Sequence, residues 1–475
     1  MAQQEVRAGS FLQGIVDFPP FLQKAGGQGG GVSLPLISPN IFNFFLQFSN
    51  FSKVISRMVR FTLRAVNHFT ICQTATLDMA PLEEMDVAPK KTPLRLMHLI
   101  TSLNVGGAQM HLYKTVTRFD PEKVASTVVS LVPPAKVGEL LKEKGIPVLS
   151  LGMQKGRPNL RALWRLRGLI KRHRPHILQT YLYHADLMGF LAGKWAGVPI
   201  ILWNLQQSHM DFSQYAWTTG LTVRLCALLS RGLEKILVNS QAGLKAHAHQ
   251  GYDEARMVIM PNGYDLNRFQ PLRSSYRDVR QELGLAPETP LVGMLARFDP
   301  QKDHAVFLKA AQQVTARHPK ICILMGGNGV TANNPTFAAL LREIPLPPER
   351  LCLLGERTDM PRLLSALDVF VSSSAFGEGS PNVIGEAMAC GVPCVVTDVG
   401  DSGLMVGETG LTTPPQAPGE LARAIGEVLD WPPQERQRRA QAARARIQQE
   451  FDITKIAAQL EAFYLGLAAP SSLSS

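Results

Sequence analysis

Cysteine is scarce in this chain, with six in 475 residues at positions 72, 226, 322, 352, 390 and 394. So few cannot staple a chain of this length, which excludes a dense disulfide framework and favours a reducing compartment. Cys390 and Cys394 stand in a CxxxC rather than a CxxC spacing, which reads as a buried pair of thiols and not as a metal or redox motif. No run of 18 or more apolar residues occurs, so there is no clear transmembrane helix. Residues 1–30 carry Glu5, Arg7 and Asp17 and lack a continuous apolar stretch, against a secretory signal. A cytoplasmic location is therefore expected. Aromatic residues make up 7% and charged residues 18%, but 45% hydrophobic content can still fill a sizeable core, which excludes a disordered or fibrous chain. Acidic residues are outnumbered 38 to 49, leaving a dispersed net charge of +11. That balance suits anionic substrates or an anionic membrane surface. No nucleic-acid motif accompanies it, and nucleic acid is not an expected partner.

The first 92 residues differ from the rest. Ten of the 21 phenylalanines and the glycine run 26–31 lie there, and no alternation of strand and helix can be read. Between Phe44 and Ala65, Lys53, Arg57, Arg60 and Arg64 recur at helical spacing, opposite Phe48, Phe51, Ile55, Met58 and Val59. This is the pattern of a basic amphipathic helix at a membrane surface, and it implies peripheral membrane association. The competing expectation is a disordered extension or a true start at Met79 or Met85.

From residue 93 the grammar becomes strand, turn, helix. Apolar runs at 94–100, 126–131, 147–151, 176–180, 199–205, 235–239 and 257–261 alternate with helical segments. The alternation pauses over a polar stretch, 271–289, and resumes with runs at 290–296, 321–327, 351–355, 368–374 and 393–398. Continuous apolar runs separated by helices mean parallel strands covered on both faces. The expected architecture is α/β, with two doubly wound Rossmann-like domains facing across a cleft. The boundaries expected are an extension over 1–92, a first domain over 93–270 and a linker over 271–289. A second domain over 290–432, closing helices over 433–467 and a tail over 468–475 complete the chain.

Ligands of such sheets sit beyond the carboxyl ends of the strands, so the residues just after each strand are the candidates. The first strand is followed by Gly106 and Gly107, which permit close backbone approach and open a helix, though not as a GxGxxG. The strand at 290–296 is followed by Arg297 and Lys302, two cations able to converge on one diphosphate, with Asp303 placed as a helix cap. The strand at 368–374 leads into a glycine-rich turn holding Glu378, and then to a helix expected to have Ser380 as cap and Pro381 in its first position. The amides of Asn382, Val383 and Ile384 would offer an anion site at the positive end of that helix. Glu378 and Glu386 supply carboxylates suited to sugar diols. A diphosphate flanked by polyols, as in a nucleotide-sugar, matches this set.

These motifs, together with Asn239-Ser240, the Pro261–Asp265 segment with Arg268 and Phe269, and the Ala389–Pro393 turn, resemble those of retaining GT-B glycosyltransferases of the family 4 type. The resemblance covers about residues 93–467. It implies a metal-independent hexosyltransferase that needs no cofactor, the nucleotide-sugar (UDP or GDP) being a co-substrate. Its acceptor would be a saccharide or lipid-linked saccharide in cell-surface polysaccharide or glycolipid synthesis. It further implies that Arg297 and Lys302 hold the diphosphate, Glu386 the ribose and Glu378 the transferred sugar, while Gly106 and Gly107 close over the donor. The absence of an Asp-x-Asp motif agrees with a reaction without metal.

The chain departs from the pattern on the acceptor side, where many members carry a basic or imidazole group after the strand 199–205. Gln206 stands there, with His209 nearby and His184 after the preceding strand as further acceptor-side candidates. Gln109 replaces the glutamate usual after Gly-Gly-Ala. A nucleotide-sugar 2-epimerase-like enzyme and a catalytically inactive nucleotide-sugar-binding module are the alternatives.

Overall fold

The computed structural model describes residues 92–154, 159–208 and 217–469. The N-terminal extension with its expected amphipathic helix, and His209, lie outside the described residues. Two all-parallel sheets follow one another along the chain. The first contains β1 (Leu94–Ile100), β2 (Val124–Ser130), β3 (Val148–Ser150), β4 (Ile177–Tyr181), β5 (Ile200–Leu205), β6 (Lys235–Val238) and β7 (Met257–Ile259), in the order 3-2-1-4-5-6-7. Its helices are α1 (Gly107–Val116), α2 (Lys136–Glu143), α3 (Leu160–His173), α4 (Tyr183–Ala196), α5 (Trp217–Leu229) and α6 (Gln241–His249).

A further helix, α7 (Arg273–Glu282), precedes the second sheet, whose strands are β8 (Leu291–Leu295), β9 (Cys322–Gly326), β10 (Leu351–Leu353), β11 (Val369–Ser372), β12 (Cys394–Thr397) and β13 (Leu411–Thr413). Their order is 10-9-8-11-12-13. Between them run α8 (His304–Arg317), α9 (Pro335–Glu343), α10 (Met360–Ser365), α11 (Asn382–Ala389) and α12 (Ser402–Val406), followed by α13 (Pro418–Asp430), α14 (Pro433–Glu450) and α15 (Ile453–Leu467). Among the described residues no helix is long and apolar enough to cross a membrane.

Each sheet is buried on both faces, which is why its strands read as unbroken apolar runs. Leu99, Leu178 and Trp203 pack under one set of helices of the first sheet, and Leu96, Leu202 and Leu237 under the other. The second sheet repeats the plan, with Leu291 and Phe370 on one face and Val292 and Val371 on the other. Chain order reverses between β1 and β4 and again between β8 and β11. At such switch points the loops leaving the strand ends diverge and open a crevice.

The polar stretch 271–289 carries α7 rather than open chain. α7 is fastened by a buried cation: Arg280 is fully enclosed and donates to Asp368 Oδ2 at 2.7 Å and to the carbonyls of Ala366, Tyr276 and Thr289. An arginine surrounded by four acceptors satisfies a buried segment without an apolar run, so hydropathy alone does not show it. β13 was likewise not expected, since it is only three residues long and two of them are threonine. The chain then returns. α14 packs Ala443 and Ile447 on the second sheet's core, whereas α15 packs Ile456, Ala457, Leu460 and Tyr464 on the first sheet's. Tyr464 also donates to Gln179 Oε1 at 2.6 Å. Where the two crossing segments meet, the Tyr264 amide donates to Phe451 O and the Ile453 amide to Tyr264 O.

Candidate functional site

The two switch points place the sequence candidates on opposing loops. Beyond β8, Asp299 accepts from the Gln301 amide and starts a short 3-10 turn. Asp303 then adopts φ +46° and caps α8 through the Val306 amide, as its position in the sequence suggested. Arg297 is 57% exposed, and its guanidinium is aimed by Asp299 Oδ2 at 3.1 Å and Gln301 Oε1 at 3.0 Å. Burial would raise the Asp299 carboxyl, but the Gln301 amide and Arg297 hold it below the ordinary range.

Beyond β11, the turn 373–380 is tied to the β8 loop at several points. Ser373 Oγ donates to the carbonyls of Lys302 and Asp303, and the Ala375 amide donates to Gln301 O. Lys302 Nζ forms a salt bridge with Glu378 Oε1, which also accepts from Ser374 Oγ at 2.6 Å. Both side chains are largely withdrawn from water, so this pair is positioned rather than solvated. Gly400, at φ +64°, makes the approach possible, since a Cβ there would lie 2.0 Å from Glu378 O.

α11 departs from the expected capping. Pro381 is the cap residue, without a side-chain cap bond, and the helix begins at Asn382, so Ser380 lies one residue outside. The Ile384 amide is also not free, because it donates to Pro381 O at 3.2 Å in a tight first turn. The amides of Asn382 and Val383 remain as the unpaired donors of the helix tip. Gly385 has to be glycine: a Cβ would sit 2.2 Å from Cζ of the Tyr264 ring laid against the helix. Glu386, one residue on, lies 3.9 Å from Lys114 Nζ of α1. Burial raises its pKa, and Lys114 and Arg268 oppose that rise.

The first sheet's loops face this tip. Gly106 is the extended cap residue of α1, and a Cβ on Gly107 would come within 3.4 Å of Asn382 Nδ2. Asn262 Nδ2 donates to Asn382 Oδ1 at 3.3 Å. After β4, Leu182 is held at φ +73°, a strained value for a branched side chain, and an exposed His184 follows in the first turn of α4. After β5, Gln206 belongs to an amide relay: its Nε2 donates to Asn204 Oδ1 at 2.6 Å, and its Oε1 accepts from Asn239 Nδ2 at 3.2 Å. The relay continues through Ser240 Oγ, which donates to Asn239 Oδ1, and ends beside Gly379, whose Cβ position lies 3.1 Å from Asn239 Oδ1.

Sequence reasoning missed Lys114 and Asp401. Asp401 follows β12 and reaches across to the first domain, where its carboxylate accepts from the Gln241 amide at 2.7 Å and the Ala242 amide at 2.9 Å. It thereby caps α6 from outside its own domain, while its own amide donates to Gly379 O. The only available signal was its place just past a strand end, in Asp398-Val399-Gly400-Asp401. Lys114 gave none, being one lysine in a mixed helix. Beside the β8 loop, Gly326, Gly327, Gly355, Arg297 and Glu356 line a cleft of about 190 Å³. Leu295, Ala296 and Met360 make most of its lining apolar, and this with the glycine floor admits a flat ring.

Two family models match the chain: Glycosyltransferase Family 4 over residues 105–268 and Glycosyl transferases group 1 over residues 289–430. EpsF of Bacillus subtilis (strain 168), described as a glycosyltransferase, is 29% identical over 321 residues, covering 64% of this chain and 79% of EpsF. The Escherichia coli UDP-Gal:alpha-D-GlcNAc-diphosphoundecaprenol alpha-1,3-galactosyltransferase is 26% identical over 261 residues, 52% of this chain and 64% of the relative. Among solved structures, Anabaena Alr3699/HepE in complex with UDP superimposes with a TM-score of 0.69 at 23% identity, covering 79% of this chain and all of that one. The likeness establishes the GT-B fold.

Proposed function

We propose that the chain, whose two halves match models of Glycosyltransferase Family 4 and Glycosyl transferases group 1, transfers a sugar, with retention, from a nucleoside-diphosphate sugar to a saccharide or lipid-linked saccharide acceptor. The observation that carries this reading is the Lys302–Glu378 pair, set between Arg297 and the free amides of α11. Arg297, Lys302 and the amides of Asn382 and Val383 take the diphosphate. Glu378 accepts from hydroxyls of the sugar and Glu386 from those of the ribose, and the 190 Å³ cleft takes the base.

In the reaction the bond between the anomeric carbon and the diphosphate oxygen breaks, and the electron pair leaves with the nucleoside diphosphate. The acceptor oxygen bonds to the same face of the anomeric carbon, and its proton passes to a phosphate oxygen. Negative charge grows on the diphosphate, where fixed cations and helix amides are already aimed, so electrostatic preorganisation is the main catalytic contribution and no metal is required. His184 and Gln206 flank the acceptor. The names of two of the similar proteins contain UDP, and one contains a diphosphoundecaprenol acceptor. UDP-sugars and polyprenyl-diphosphate saccharides are therefore the first substrates to try, in cell-surface glycan assembly on the cytoplasmic side of the membrane.

The test is release of UDP or GDP by the purified full chain across a panel of nucleotide-sugars, with and without lipid-linked acceptor and with a chelator present. Sugar transfer that persists in chelator supports the reading. A chain that releases no nucleotide under any of these conditions is a binding module instead.

A further inference from the structure

Apart from the cleft, one surface combines exposed aromatic and basic groups. On α3, Leu160 is 53% and Trp164 61% exposed, and Trp164 meets Trp195 of α4 edge-on, with ring centroids 4.3 Å apart. Arg167 lays its guanidinium over Trp195, 4.4 Å from the ring centroid. The sequence of α3, LRALWRLRGLIKRH, contains no carboxylate. Ala162, Leu166 and Ile170 form its buried stripe, so Arg161, Lys171 and Arg172 are turned to solvent, while Arg165 beside them donates to Leu151 O at 3.2 Å. Among the described residues, none of these four cations is in an ion pair.

A folded domain gains nothing from displaying this combination to water. The cations repel one another without counter-charges, and Trp164 and Leu160 keep apolar surface hydrated beside them. A nucleic acid would satisfy the cations and leave Leu160 wet. A bilayer interface satisfies both, since indole rings settle at headgroup depth while arginines and lysines meet anionic phosphates. We propose that the α3–α4 face seats the protein on an anionic phospholipid bilayer. α4 carries Trp195 in its last turn and His184 in its first, so one helix joins this face to the acceptor side of the cleft. The use of such a seat rests on the lipid-linked acceptor proposed above, whereas the contact itself can be measured without any acceptor.

The full-length chain is sedimented with vesicles of phosphatidylcholine alone and with added phosphatidylglycerol. Binding is expected only to the anionic vesicles, weakening as salt is raised. The triple variant Arg161→Glu, Lys171→Glu, Arg172→Glu should bind about a hundredfold more weakly. Trp164→Ala, an exposed change that leaves the core intact, should lose several-fold. Both variants should keep wild-type transfer to a detergent-dispersed acceptor. If the wild type ignores anionic vesicles, or if both variants bind like wild type because another segment makes the contact, the proposal is overturned. Vesicle binding without transfer to any acceptor would overturn the enzymatic reading and leave this surface in place.

Discussion

The two sheet domains contribute to the cleft in different currencies. The second supplies formal charge, with Arg297, Lys302, Glu378 and Glu386 on loops that bond to one another. The first supplies mostly neutral groups: the Gly106-Gly107 turn, the Asn204–Gln206–Asn239 relay and an exposed imidazole, with Lys114 and Arg268 the cations that act on Glu386. Charge that must oppose a diphosphate is best held rigidly, while neutral hydrogen-bonding groups suit an acceptor whose hydroxyls differ little from water. Donor affinity should therefore belong to the second domain, and acceptor choice to the first.

The sharpest way to break this division is to loosen the second domain alone. Arg280→Ala leaves Asp368 buried beside vacant space and should cost about 3–5 kcal/mol, read as a separate, earlier thermal transition for the second domain. Next, Arg297→Ala should lower kcat by about 10²–10³ with little movement of that transition, because the side chain is exposed and its surface ion pair with Asp299 adds little stability. A comparable loss of melting temperature would mean that Arg297 is structural.

Acid should separate the domains as well. Burial lowers the imidazole pKa of His98 to about 3, and of His111 and His247 to about 4, all in the first domain. The unfolded chain takes up protons near pH 6.5 that these folded sites refuse. Their contribution is thus complete above pH 6.5 and is lost as pH falls toward 4, by about 2 kcal/mol per histidine at pH 5. Asp186, raised by burial to about 7, works in the opposite direction and offsets roughly one of them. In the second domain His304, lowered to about 4, is opposed by the raised carboxyls of Asp368 and Glu386. Hydrogen exchange at pH 5 should show the first domain opening before the second; the reverse order would contradict these assignments.

A smaller effect is expected at the seam. Asp401→Ala removes the carboxylate that caps α6 from across the cleft, worth about 1 kcal/mol, and should raise the donor KM several-fold with little change in melting. An unchanged KM would make Asp401 a passive contact.

Much of this was legible in the chain. Unbroken apolar runs predicted parallel sheets, and β1 was located to the residue because both of its ends are marked by a change in polarity. Charged residues after β8 and β11 stood out because nothing in a helix or strand needed them there. What could not be read depends on three dimensions. Strand order determines that β1 and β4 flank one switch point, and no local pattern encodes it. α7 is secured by one buried arginine rather than by an apolar stripe. The cap of α11 moved by one residue because Pro381 fits the extended cap position as well as the first turn. Asp401 caps a helix that lies 159 positions away in sequence.

The central claim is that Arg297, Lys302 and the tip of α11 grip a diphosphate while Glu386 holds the ribose. Calorimetric titration of UDP and GDP into the wild-type chain and into Arg297→Ala and Glu386→Ala tests it most directly. Whichever nucleotide binds the wild type should bind both variants at least tenfold more weakly, about 1.4 kcal/mol each. Undiminished affinity in both would place the nucleotide elsewhere.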